Sequence, residues 1–101
     1  ELNYFIQVNI GNEAQKSGIE ISLVNEFVKF CQAELKLNVL GLMCIPPFNS
    51  PSEPFFRKLK ELNEISNLKN LSMGMSSDYE LAIKHGANYV RIGSSLFGKR
   101  F

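Results

Sequence analysis

The chain has 101 residues, 45% of them apolar, and a formal net charge of +1. That length suits one globular domain and is too short for two. The near-neutral balance gives no argument for nucleic acid or an anionic membrane as the main partner, and no apolar run is long enough to span a bilayer.

The chain opens almost directly on a strand. Tyr4 to Ile10 is rich in β-formers, with Tyr4, Ile6, Val8 and Ile10 on one face and Phe5, Gln7 and Asn9 on the other. The lack of a lead-in suggests a sequence cut from something longer. Nothing at the start pairs a basic region with an apolar stretch, so no signal peptide is expected. A polar loop, Gly11 to Gly18, follows. Ser22 is a candidate helix N-cap, and Val24, Phe27, Val28, Cys31 and Leu35 recur at helical spacing, which predicts a helix over 21–36.

Val39 to Ile45 is apolar on both faces, as a buried parallel strand is, and Pro46-Pro47 ends it. Phe55, Phe56, Leu59, Leu62 and Ile65 predict a second amphipathic helix after Ser52, with the two phenylalanines as core. Asn70 to Met73 reads as a third strand. Ser77-Asp78-Tyr79-Glu80 reads as a capping box for a third helix running to His85, with Gly86 as its left-handed cap. Tyr89 to Ile92 is a fourth strand. Gly93 to Gly98 reads as a tight loop and a short helical turn.

This alternation predicts an α/β fold with a parallel sheet and helical crossovers, either an open doubly wound sheet or part of a barrel. Ligands of such folds bind beyond the carboxyl ends of the strands. Two loops there share a composition: Gly74-Met75-Ser76-Ser77 after the third strand and Gly93-Ser94-Ser95 after the fourth. Glycine admits an anion close to the backbone and hydroxyls add donors, so the pair predicts a phosphate grip. Period-two alternation puts Arg91 with Tyr89 on the interior face, one layer below the Gly93 loop. Asp78 and Glu80 read as caps, His85 as a helix-end residue and Lys16 as a solvated loop lysine. Cys31 and Cys44 lie in apolar segments, and as buried thiols they suit a reducing cytosol, so a cytoplasmic location is expected.

Five segments in order carry a family resemblance: Gln7-Val8-Asn9-Ile10, Lys16-Ser17-Gly18, Gly41-Leu42-Met43-Cys44-Ile45-Pro46, Leu71 to Asp78, and Val90 to Gly98. The chain resembles the pyridoxal-phosphate homeostasis proteins, also described as proline synthase co-transcribed or alanine racemase N-terminal domain-like proteins. The resemblance implies a fold-type III (β/α)8 TIM-type barrel, of which residues 1–101 would be the C-terminal half, four parallel βα units. It implies pyridoxal 5′-phosphate as cofactor and a non-catalytic role in vitamin B6 homeostasis. Ser76, Gly93 and Ser94 would hold the phosphate with backbone N–H from Ile92 or Ser94, and Arg91 would approach the pyridine nitrogen. The family's cofactor lysine falls in the other half, and no lysine here matches it. A half-barrel leaves open edges, so the missing N-terminal half or a second copy is the expected partner. Two alternatives stay open: a fragment of a pyridoxal-phosphate racemase-like enzyme, or a structural half-barrel without activity of its own.

Overall fold

The computed structural model describes residues 2–13, 17–47, 50–75 and 77–91, with Arg91 described by its backbone alone. Four strands form one sheet: β1 (Asn3–Gln7), β2 (Asn38–Met43), β3 (Asn70–Met75) and β4 (Tyr89–Arg91). Three helices alternate with them: α1 (Val24–Ala33), α2 (Glu53–Ile65) and α3 (Tyr79–Lys84). All strand pairs are parallel, and the spatial order β1-β2-β3-β4 follows the chain.

That order settles the architecture left open by periodicity. A doubly wound sheet reverses direction at a switch point and has helices on both faces. Here the order never reverses, and α2 touches both α1 and α3, so the helices lie side by side. Right-handed crossovers place consecutive helices on one face when the strand order runs one way, as in a barrel wall. The core fills the space between sheet and helices. Val8, Val24, Val28, Leu42, Phe56 and Leu59 are its largest fully buried side chains.

The opposite face curls. Phe5 on β1 and Tyr89 on β4 meet edge to face, with ring centroids 5.0 Å apart. A flat sheet would separate these two strands by three spacings, roughly 14 Å. The rings therefore converge over a concave surface. Gly41, opposite both Phe5 and Asn70, sits between them in the register. A Cβ at position 41 would collide with the Asn70 carbonyl oxygen, so glycine is what lets β2 and β3 approach there.

Several boundaries differ from the sequence reading. A 3-10 turn at Ile21–Leu23 precedes α1, so Ser22 lies inside that turn and is not an N-cap. α1 stops at Ala33, because Lys36 adopts a left-handed φ of 57° and the Leu37 amide bonds back to the Cys31 carbonyl oxygen. Leu35, expected on the packed helix face, is exposed beyond it. β1 ends at Gln7, yet Ile6, Val8 and Ile10 are all buried as the alternation required. β3 runs two residues longer than expected, to Met75. Gly86 takes its expected place, with φ 102°, while the Ala87 and Gly86 amides bond to the Ala82 and Ile83 carbonyl oxygens. Cys31 and Cys44 are buried free thiols.

Candidate functional site at the carboxyl edge of the sheet

The carboxyl ends of β3 and β4 are brought level by a register shift. Ser72 pairs with Tyr89, then Met75 pairs with Arg91. The shift occupies Gly74, whose φ is 104° and whose missing Cβ would stand 2.6 Å from the Ala82 methyl. Glycine thus supplies both the backbone conformation and the room that α3 needs against β3.

Beyond Met75 the chain closes a turn on Asp78. The Asp78 amide donates to the Met75 carbonyl oxygen at 3.0 Å, and the Met75 amide donates to Asp78 Oδ1 at 2.7 Å. The other carboxylate oxygen, Oδ2, accepts the Ser52 hydroxyl at 2.6 Å. The expected capping box is not formed. α3 begins after Asp78, with no side-chain cap bond at its N-cap, and Ser77 is an exposed turn residue. The physical reason is competition: an aspartate beside a strand end can reach back to the strand's last amide, and that bond starts the helix one residue later.

Ser52 precedes α2, and it likewise makes no cap bond to its own helix. Its hydroxyl serves the neighbouring loop instead. The next residue, Glu53, places Oε2 3.0 Å from His85 Nε2 at the far end of α3. The His85 bond, together with the charges of Arg57, His85 and Lys84, holds the Glu53 carboxyl below its ordinary value of 4.5. α2 thus grips α3 at both ends. Nearby, burial and then the Asp78 charge push the Cys44 thiol up to about 12, so it stays a protonated, unreactive thiol at neutral pH.

An open cleft of about 640 Å³ lies between these two loops, lined by Pro46, Pro47, Ser52, Met75, Ser77 and Asp78 among others. On β1, the Asn9 side chain closes its own loop, donating to the Glu13 carbonyl oxygen and accepting the Glu13 amide. Asn9 is therefore spent on the backbone and does not serve the interior surface. Of the site residues expected from sequence, Ser76, Ile92, Gly93 and Ser94 lie outside the described residues, as does Lys16, and Arg91 is placed by its backbone in β4. Sequence reasoning missed the Ser52–Asp78 and Glu53–His85 ties, because each joins residues more than twenty positions apart that only the crossover geometry brings together. Among the described residues, no lysine lies at a strand's carboxyl end, and no cluster of three His, Cys, Asp or Glu could hold a metal ion.

The family model for the alanine racemase N-terminal domain matches residues 1–100. The chain is 45% identical to the pyridoxal phosphate homeostasis protein of Aquifex aeolicus, covering 94% of this chain and 46% of the relative. It is 44% identical to the protein of the same name in Schizosaccharomyces pombe, covering 98% of this chain and 46% of the relative. Among solved structures it superposes on PipY of Synechococcus elongatus without PLP, with a TM-score of 0.81, 28% identity, and coverage of 95% of this chain and 49% of PipY. PipY with PLP bound gives a TM-score of 0.79 at 24% identity, over 95% of this chain and 49% of that one. The chain thus spans about half the length of the relatives it matches.

Proposed function

The chain belongs to the alanine racemase N-terminal domain family, and from that premise we propose that it forms part of a pyridoxal 5′-phosphate-binding protein acting in cofactor homeostasis without catalysing turnover. The observation that carries this reading is the pairing of Met75 with Arg91. Each precedes by one residue a segment assigned to the cofactor: Ser76 after β3, and Ile92, Gly93 and Ser94 after β4. Two loops that start from adjacent strand positions can converge on one phosphate, the arrangement barrels use at their carboxyl face. The names of the two relatives agree with pyridoxal 5′-phosphate as the ligand.

In this reading Ser76, Gly93 and Ser94 hold the phosphate through hydroxyl and backbone donors, and Arg91 approaches the pyridine nitrogen. The cofactor, when bound, supplies a reactive aldehyde and an electron-accepting ring. A positively charged guanidinium beside the ring nitrogen disfavours its protonation, which weakens the ring as an electron sink. The lysine that would anchor the aldehyde is assigned to the remainder of the protein. An apolar groove of about 460 Å³ along β1 and α1, lined by Tyr4, Phe27, Cys31, Leu35 and Leu37 among others, is assigned to that same remainder, as further β/α units completing the barrel. A cytoplasmic location fits the two reduced, buried thiols.

Equilibrium titration of the intact protein with pyridoxal 5′-phosphate, followed by absorbance, tests the reading. Binding that weakens at least about tenfold in Ser76→Ala and Arg91→Ala supports it. Unchanged binding in both variants refutes the site, and racemisation of D- or L-alanine seen by optical rotation refutes the non-catalytic role.

A further inference from the structure

Asp78 reads from sequence as a helix cap, yet it caps no helix through its side chain. It uses every polar group it has on the loops around it. Its backbone amide donates to Met75 at 3.0 Å, its Oδ1 takes the Met75 amide at 2.7 Å, and its Oδ2 takes the Ser52 hydroxyl at 2.6 Å. Its carbonyl oxygen accepts the Ala82 amide at 3.1 Å and starts α3.

The consequence is mechanical coupling. Met75 and Asp78 are joined twice, by backbone and by side chain. The same carboxylate ties that pair to the end of the β2–α2 loop at Ser52. Without it, the Met75 amide at the strand end loses its side-chain acceptor, and among the described residues the Glu53–His85 contact is the remaining side-chain hydrogen bond between α2 and α3. A helix of six residues is too short to hold itself in place.

We propose that Asp78, latched by Ser52, is a positioning residue that fixes the geometry of the loop after β3 for recognition of the cofactor's phosphate. This rests on the pyridoxal-phosphate reading above. Asp78 touches no ligand in this scheme; it acts by its bonds to Met75, the residue that precedes Ser76 in the chain.

The test measures a ratio: the affinity of the intact protein for pyridoxal 5′-phosphate divided by its affinity for unphosphorylated pyridoxal. The ratio isolates phosphate recognition, because a general loss of folding or of aldehyde binding lowers both terms. Asp78→Ala is expected to lower the ratio about tenfold while pyridoxal binding stays within about threefold. Asp78→Asn keeps an acceptor for the Met75 amide and a partner for Ser52, and is expected to restore most of the ratio. Should Asp78→Ala fail to fold, Ser52→Ala decides, with an expected fall of about threefold. If the wild-type protein prefers the phosphorylated form and the substitutions leave the ratio unchanged, the positioning role is overturned and the functional reading stands. If the wild-type protein shows no preference for the phosphorylated form, both are overturned.

Discussion

The two ends of β3 are tied in different chemistry. Around its amino end, where Leu71 pairs with Leu42, the ties are neutral amides. Asn63, buried, accepts the Leu42 amide at 3.0 Å and donates to the Leu68 carbonyl oxygen at 3.2 Å. Asn88 accepts the Leu71 amide, and Asn70 donates to the Leu40 carbonyl oxygen. Beyond its carboxyl end the side-chain ties to α2 are carboxylates: Asp78 with Ser52 and also with Met75, and Glu53 with His85. An asparagine donates and accepts at once, so it can satisfy interior backbone groups without bringing a charge out of water. A carboxylate only accepts, and it is tolerated where solvent and donors reach it. The first set satisfies buried backbone groups, and the second ties two loops together at the edge of the sheet.

Substitutions sharpen this contrast in order of size. Gly41→Ala forces a methyl against the Asn70 carbonyl oxygen. It is expected to cost about 3 kcal/mol or more in denaturant unfolding, and a near-neutral result would mean that β2 and β3 are not in the contact described. Asn63→Ala orphans two buried backbone groups and is expected to cost about 2 kcal/mol by the same measurement, with little change in ligand preference. Asp78→Ala is the converse case. A stability loss of about 1 kcal/mol is expected, alongside the larger loss of phosphate preference. Equal effects of Asn63→Ala and Asp78→Ala on both readouts would erase the distinction between the ends.

The smallest effect expected is the pH dependence at Glu53. Its folded-state value lies below 4.5, chiefly through the His85 hydrogen bond. The resulting stabilisation is therefore fully present above the unfolded value of 4.5 and is lost as pH falls through the lowered folded value. Glu53→Gln should flatten the acid limb of the stability–pH curve, measured by thermal unfolding from pH 6 down to roughly pH 3. The side chain is substantially exposed, so the change is small. An unaltered acid limb would show that the His85 contact does not persist in solution.

Much of the fold was legible one element at a time. Alternation in β1 put Tyr4, Ile6, Val8 and Ile10 on one face, and the last three are buried; of the helical positions, Val24, Val28, Cys31, Phe56, Leu59 and Leu62 are buried, Phe55 is partly buried, and Phe27, Leu35 and Ile65 are exposed. Gly86 was legible because a helix end that needs positive φ favours glycine. The same local rules failed at Ser22 and Ser77, where a 3-10 turn and a competing aspartate displaced the expected caps. They also failed at Lys36 and Asn67, whose positive φ values end α1 and α2 without a glycine. Asn63 carried no signal at all, since a polar residue at that helix position reads as solvent-facing until β2 is packed against it.

Local reading of the sequence reached the order of the described strands and helices and most of their inward faces, because each depends on neighbours within one or two turns of chain. Its motifs also pointed to the family that the family model matches. Only the tertiary structure decided that the strand order runs β1-β2-β3-β4 with the helices side by side, that Phe5 meets Tyr89 across a concave face, and that Met75 stands level with Arg91. It alone turned Asp78 from a cap into a latch. These are long-range pairings set by crossover handedness, sheet curvature and register shifts, and none leaves a periodic trace in the residues it joins.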